Sequence, residues 1–334
     1  MNRGELRSSD LLDLPAVAIA PGEALTVIRR RVLAWAGMLS LALLVMSGQA
    51  SGAEDIAALR AAALEHVNTS RQDEGLPPLE GGDVLDEAAQ LHAEDMLERG
   101  YYSHVTPGGD GPRERFLDAG GGEWELVAEN IAMCRNCGAL DRDRISQFHE
   151  GWMDSPEHRA NILRRGLARF GFGAASGDGV IYAVQTFAGP GTSRGKGTAE
   201  VEDGDVMELA GDELNAARHE AGLPPVAGSS ALREAILDAV PSDLDSFRLQ
   251  DLDLFATMPR SLRAFRDLKA LMAECGGCGQ VITEGDVRAF VNDWLDQDAR
   301  RANLFDPQMT HYAMVVRRDG RGRKLAILVL AAER

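Results

Sequence analysis

Apolar residues recur at helical spacing in three stretches of the chain's first half. The first stretch, over residues 56–67, predicts a helix that Gly75 ends. The second stretch, over residues 85–96, predicts a helix that ends at Gly100, and a shorter third helix is predicted over residues 145–152. Between the helices lie polar segments rich in glycine and proline, which are typical of loops.

The pattern changes to strands near the end of this half. Phe170 begins a Phe-Gly-Phe-Gly segment, a Ser-Gly-Asp-Gly turn occupies residues 176–179, and an apolar run extends from Val180 to Phe187. Two such runs joined by a tight glycine-containing turn predict a β-hairpin. Helices early and antiparallel strands late predict an α+β fold in which helices pack on a sheet.

The chain repeats itself. The segment NTSRQDEGLPPL at 68–79 corresponds to NAARHEAGLPPV at 215–226, and CRNCG at 134–138 corresponds to CGGCG at 275–279. Phe148 and Trp152 match Phe290 and Trp294 at an offset of 142 positions. Ordered blocks of this kind indicate a tandem duplication. We predict copies over residues 54–189 and 206–334, joined by a linker at 190–205 whose glycine-rich composition predicts flexibility.

The N-terminus has the pattern of an export signal. Three arginines at 29–31 precede an apolar run at 32–46, and small residues lead to Ala50. The run is shorter than the roughly 20 residues of a membrane span. We therefore predict a signal peptide at 1–50 that is cleaved after Ala50, with an uncleaved anchor as the alternative. The processed protein is expected to be secreted, periplasmic or bound to the cell envelope, and not an integral membrane protein.

Charge and composition exclude several classes of protein. The chain of 334 residues has 35 Lys and Arg against 52 Asp and Glu, a net charge of −17. This acidic balance argues against a nucleic-acid partner. A hydrophobic content of 45% excludes wholesale disorder, and four cysteines are too few for a disulfide-dense miniprotein.

Three motifs in the first copy occur in a distinctive order: SHVTP at 103–107, AENIA at 128–132 and SPEHRANIL at 155–163. Together with GFG at 171–173 and AVQTF at 183–187, this set resembles the CAP superfamily (cysteine-rich secretory proteins, antigen 5 and pathogenesis-related proteins) in its bacterial secreted form. The resemblance implies a three-layer α-β-α sandwich with a polar cleft. By motif match, His104, Glu129 and His158 would line that cleft, while Ser155 occupies the position where the family usually has a second glutamate.

Two imidazoles and one carboxylate in a cleft can form a satisfied hydrogen-bond network. They can also form an open site for a divalent metal such as zinc, with His104 and His158 as ligands. Hydrolysis would require a nucleophile beside an oriented base, and Ser103 and Ser155 are near the histidines only in sequence. We therefore expect non-catalytic binding of a small ligand, a lipid, a metal or a protein partner. A metal-dependent hydrolase and a structural interaction module of the envelope remain the alternatives.

The second copy lacks the cleft residues. Ala270 replaces Glu129, Arg300 replaces His158 and Gln297 replaces Ser155. Since the apolar framework persists, we expect a degenerate domain that keeps the fold and docks on the first copy as half of an intramolecular pseudo-dimer, or receives a separate partner.

Both copies keep a CxxC motif, formed by Cys134 and Cys137 and by Cys275 and Cys278. In an exported protein, a local disulfide within each motif is the first expectation. Four thiolates sharing one zinc ion are a second, if the two copies meet at these loops. A thioredoxin-like redox pair is the third.

Overall fold

The computed structural model describes residues 55–244, 247–248 and 264–334. The predicted signal peptide at 1–50 lies outside these ranges. Within them, no helix is both long enough and apolar enough to cross a membrane.

The first repeat contains the three predicted helices and four strands. Its elements are α1 (Ile56–Asp73), β1 (Glu80–Gly81), α2 (Asp83–Arg99), α3 (Pro112–Asp118), β2 (Leu126–Arg135), α4 (Arg142–Asp154), α5 (Pro156–Ile162), β3 (Arg169–Gly177) and β4 (Val180–Gly189). Gly100 ends α2 in the left-handed conformation that favours glycine, as the sequence predicts. The strand β2 and the short helices α3 and α5 are additions to the predicted elements.

The sheet of the first repeat has the strand order β1-β3-β4-β2. The predicted hairpin is β3 and β4, which pair antiparallel, and its turn contains Asp178 and Gly179, both with positive φ. The strand β2 pairs antiparallel with β4 at one edge, and β1 pairs parallel with β3 at the other. The edge strand β2 is the one that contains Glu129.

Helices cover both faces of this sheet. On one face, Ala93 and Met96 of α2 pack against Tyr182 and Val184 of β4. On the other face, α1, α4 and α5 form a second core around strand residues that include Phe187. The two cores confirm the predicted α-β-α sandwich.

The contact between α2 and β3 depends on glycine. A Cβ atom added at Gly171 would lie 2.2 Å from the backbone carbonyl carbon of Leu85, and one added at Gly173 would lie 2.2 Å from the backbone nitrogen of Gln90. The GFG motif therefore allows the helix to lie directly on the strand.

The second repeat has the same arrangement. Its elements are α6 (Asp203–Glu220), β5 (Ala227–Gly228), α7 (Ser230–Ala239), β6 (Phe265–Cys275), α8 (Glu284–Leu295), α9 (Asp298–Leu304), β7 (His311–Arg318) and β8 (Lys324–Glu333). The strand order is β5-β7-β8-β6, and one core lies on each face of the sheet. This equivalence confirms two tandem copies of one α+β fold.

The predicted flexible linker at 190–205 needs a correction. The helix α6 begins at Asp203, inside the predicted linker, and the preceding residues are bonded to the second repeat. The Arg194 backbone N–H donates to Asp286 at 2.9 Å. The fully buried Lys324 ammonium lies 2.6 Å from the Asp286 carboxylate and 3.1 Å from the Ser193 hydroxyl. Composition could not predict this attachment, because it depends on a buried ion pair from distant segments.

The two repeats also contact each other directly. The Gly277 N–H donates to the Trp124 carbonyl at 2.7 Å. The Arg323 guanidinium lies 4.6 Å from the centre of the Trp124 indole ring, a cation–π geometry. The CxxC loop of the second repeat therefore lies against the segment that precedes β2 of the first.

Candidate functional site

The predicted cleft residues come from three separate elements. His104 lies in the loop after α2, Glu129 in the edge strand β2 and His158 in α5. Ser155 lies between α4 and α5, where its backbone caps both helices. The chain brings these elements together at the edge of the sheet where β2 runs beside α5.

Glu129 is the centre of the polar site. Its side chain is only 2% exposed, and its two oxygens have different partners. One oxygen lies 2.8 Å from His104 Nδ1, and the other accepts a hydrogen bond of 2.6 Å from the Arg115 guanidinium. A buried carboxylate needs such partners because desolvation penalises an unpaired charge. The carboxylate also favours the His104 tautomer with a proton on Nδ1, which leaves Nε2 as an acceptor or ligand atom.

Arg115 also orders the loop that contains His104. Its guanidinium donates to the carbonyl oxygens of His104 at 3.0 Å and Asp110 at 2.9 Å. The same side chain therefore neutralises Glu129 and fixes the backbone beside it.

A second, buried histidine contacts the loop that contains His104 and lies near Glu129. His92 is 1% exposed, and its Nε2 lies 3.0 Å from the Ser103 carbonyl and 3.9 Å from the Glu129 carboxylate. Burial is the largest effect on His92 and lowers its pKa, although the charge of Glu129 acts in the opposite direction. The neighbouring Tyr101 hydroxyl donates to Asp95 of α2. These contacts hold the start of the loop on α2.

Amide side chains join β2 to α5 and position His158. The Asn161 side-chain amide donates to the Glu129 carbonyl at 3.1 Å and to Asn130 at 3.0 Å. Asn130 in turn donates to the His158 carbonyl at 3.2 Å and to Gln185 at 3.1 Å. Burial lowers the pKa of His158, and the charge of the nearby His104 lowers it further. At neutral pH, His158 is therefore a neutral imidazole beside His104.

The serines near the histidines have no nucleophile geometry. The Ser103 hydroxyl accepts a hydrogen bond of 3.1 Å from the Val105 N–H. Ser155 makes no side-chain hydrogen bond to cap α5, and no contact joins it to His104, Glu129 or His158 within the described residues.

The donor set limits what metal site could form. Both oxygens of Glu129 are engaged by His104 and Arg115, which leaves the two imidazoles as the ligand groups. In the described part of the chain, no group of three or more His, Cys, Asp or Glu side chains is arranged to hold a metal ion. The residues present therefore fit at most a two-imidazole site, in which Glu129 would orient His104 from behind.

The cysteines pair within each motif. Cys134 is bonded to Cys137 and Cys275 to Cys278, and the described chain contains no free cysteine. This is the first of the three alternatives for these motifs.

Several residues of the site were not predicted from the sequence. Arg115 lies on a short helix that periodicity does not reveal, and Asn130 lies on an unpredicted strand. Gln185 interrupts the apolar strand β4 and is the one sequence signal that a polar group could face the cleft, although an edge or pairing role is equally consistent with that signal. Its buried contact with Asn130 assigns it to the network behind the cleft.

The geometry and the motifs define a class of protein. Residues 64–187, from within α1 to β4, match the model of the cysteine-rich secretory protein family, CAP. The first repeat thus contains a segment that matches the CAP family, and the second repeat has the same order of strands in its sheet.

Two curated relatives come from Bacillus subtilis (strain 168). The uncharacterized protein YkwD is 27% identical over 135 residues, which are 40% of this chain and 49% of YkwD. The uncharacterized membrane protein YlbC is 32% identical over 110 residues, which are 33% of this chain and 30% of YlbC. This chain thus spans about half or less of the length of the curated relatives it matches.

Among solved structures, an extracellular protein containing a SCP domain from Bacillus anthracis is 25% identical. The match covers 39% of this chain and 40% of that one, with a TM-score of 0.33.

Proposed function

We propose that this protein is an exported, non-catalytic binding protein whose first repeat holds a ligand, a divalent metal ion or a protein partner in the cleft at His104, Glu129 and His158. The observation that carries the proposal is the state of Glu129. Its carboxylate is buried and paired on both oxygens, so it orients His104 rather than acting as a base.

The two imidazoles are the groups that would contact the bound molecule. The His104 side chain is 46% exposed, and its Nε2 is not the atom that contacts Glu129. His158 is half-buried, and its lowered pKa favours the neutral ring. A pair of neutral ring nitrogens can accept hydrogen bonds from a ligand or bind a divalent cation such as zinc.

Hydrolysis has weaker support from the same site. A hydrolase of this type needs a nucleophile hydrogen-bonded to a base, or a metal-bound water beside a free carboxylate. The serines of the cleft are not bonded to either histidine among the described residues, and Glu129 is not free.

Two features support export. The sequence has the signal-peptide pattern at 1–50, and both CxxC motifs form disulfides, which persist in oxidising compartments. A cytoplasmic location would leave these sulfurs reduced.

Isothermal titration calorimetry with zinc chloride tests the metal form of the proposal. The exported chain is compared with His104→Ala and His158→Ala, and the exposed His219→Ala serves as the matched control. If zinc is the bound species, both cleft variants lose stoichiometric binding and the control keeps it. Binding that is unchanged in His104→Ala removes the metal from the proposal.

Incubation with peptide and ester pools tests the non-catalytic part. We expect no turnover, with or without added divalent metal. Cleavage by the purified chain that disappears in His158→Ala would contradict the proposal and favour the hydrolase alternative.

A further inference from the structure

The second repeat contains a pocket at the position of the lost cleft. Its volume is about 590 Å³, and it is lined along the edge strand β6 by Ala270, Leu271 and Met272, of which Ala270 and Met272 share one face of the strand. Arg300 and Asn303 of α9 form one wall, and Trp124 of the first repeat forms another. In the repeat alignment, Ala270 replaces Glu129, Leu271 replaces Asn130 and Arg300 replaces His158. The residues at these positions have therefore changed from acidic and polar groups to apolar groups and a cation.

The hydrogen bonds that tie helix to strand in the first repeat are absent here. In the first repeat, Trp152 Nε1 donates to the Ile131 carbonyl at 3.0 Å, and Asn161 donates to β2. The counterpart of Trp152 is Trp294, which is fully buried and whose Nε1 has no hydrogen-bond partner in the described chain. The counterpart of Asn161 is Asn303, whose side-chain amide likewise bonds to no described residue. The pocket lies between β6 and α9, the strand and the helix that a bond from Asn303 would have joined.

The charges around the pocket leave one cation uncompensated. Arg248 lies 3.7 Å from Glu123, and Glu274 accepts a hydrogen bond from Arg323. Arg300 is half-buried, and its side chain has no hydrogen bond or ion pair with any described residue. An Arg guanidinium and an amide on the same helix are donors that match a carboxylate, and the side chains of Ala270 and Met272 with the indole of Trp124 match an apolar body.

We propose that this inter-repeat pocket binds a small amphipathic molecule with one carboxylate and an apolar chain. The carboxylate is held by Arg300 and the Asn303 amide, and the apolar chain lies against Ala270, Met272 and Trp124. This site is separate from the His104 cleft and does not depend on it. It gives the second repeat a binding role of its own, in a pocket that requires both repeats.

Calorimetric titration of the exported chain with decanoate tests the proposal, with decan-1-ol as the uncharged probe. The decisive variant is Arg300→Gln, and the matched control is Arg301→Gln, which changes the next residue of the same helix. We expect saturable 1:1 binding of decanoate that weakens at least about tenfold in Arg300→Gln, because a charge-assisted hydrogen bond is lost. The control variant and His158→Ala should bind as the unmodified chain does.

Three results would overturn the proposal: no saturable binding of decanoate, equal binding by Arg300→Gln and the unmodified chain, or decan-1-ol binding as tightly as decanoate. The Arg300 side chain has no partner to lose among the described residues, so Arg300→Gln should unfold at the same temperature as the unmodified chain. A shared unfolding temperature ensures that a loss of binding reports on the pocket and not on the fold.

Discussion

Replacing Arg115 with methionine tests the buried charge pair that it forms with Glu129. Arg115 is 11% exposed and Glu129 is 2% exposed, and their contact is 2.6 Å. Removing one partner of a buried pair leaves an uncompensated charge and costs about 3–5 kcal/mol. His104 still donates to the other oxygen of Glu129, so we expect the lower end, about 3 kcal/mol.

Thermal unfolding of the full chain measures this cost. At about 2–4 °C per kcal/mol for a protein of this size, Arg115→Met should lower the Tm of the first repeat by about 6–12 °C. Arg115 also bonds the loop backbone, so the single variant alone cannot isolate the charge effect. The double variant with Glu129→Gln does so: it should lose less stability than the sum of the two single variants, by about 1–3 kcal/mol.

An exposed ion pair provides the control. Arg159 and Glu74 lie 2.6 Å apart with both side chains more than 40% exposed, at 44% and 48%. Pairs of this kind contribute about 0–1 kcal/mol, so Arg159→Met should change the Tm little. An Arg115→Met variant that unfolds like Arg159→Met would refute the reasoning, as would full additivity with Glu129→Gln.

Three further predictions concern other parts of the molecule. Burial and, to a smaller extent, the charge of the neighbouring His66 lower the pKa of His149 to about 4 in the folded chain. As the pH falls, His149 is therefore protonated in the unfolded chain before it is protonated in the folded chain. The free energy of unfolding decreases for this reason between about pH 6.5 and 4. In urea unfolding at pH 7 and pH 5, His149→Gln should lose less stability than the unmodified chain, by about 1–2 kcal/mol, and an equal loss would contradict the assigned cause. Gly171→Ala should lower the free energy of unfolding by about 1–3 kcal/mol because its Cβ would overlap the backbone of α2. Gly151→Ala, at an exposed helical position, should be neutral or stabilising. Urea unfolding that ranks the two variants the other way would refute the close packing of α2 on β3. Intact mass before and after reduction should show two hydrogens gained per CxxC motif and no zinc bound by the cysteines, whereas free thiols before reduction together with cysteine-bound zinc would favour the shared metal site.

Periodicity predicted the long elements because their faces are buried against one partner. The helix α1 buries Leu59, Ala63 and Val67 at regular spacing, so its sequence alone reveals it. The strand β2 was not predicted because it carries buried Glu129 and Asn130 in its centre, where an ordinary strand would be apolar. The residues that make the site polar are therefore the ones that conceal the strand.

The site could be predicted only through its motifs. The SHVTP, AENIA and SPEHRANIL segments pointed to His104, Glu129 and His158. In the structure, His104 Nδ1 lies 2.8 Å from the Glu129 carboxylate, and the charge of His104 lowers the pKa of His158. Arg115 could not be found this way, because an arginine on a short polar helix is indistinguishable in sequence from a solvated one. Its role follows from the packing of α3 beside β2.

In the second repeat, too, the sequence predicts only part of what the structure shows. Its sequence indicates a lost site, since Ala270 and Arg300 stand at the positions of Glu129 and His158. It does not indicate a pocket, because the cavity depends on Trp124, which the first repeat contributes.

The histidine NMR spectrum tests most directly whether the first repeat has a single cleft. The chain has seven histidines, so selective ring labelling gives a spectrum that single substitutions can assign. The account predicts that His158→Gln and Glu129→Gln each shift the ring signals of His104 while those of His219 stay in place. If the His104 signals stay unchanged in both variants, the three side chains do not share a cleft.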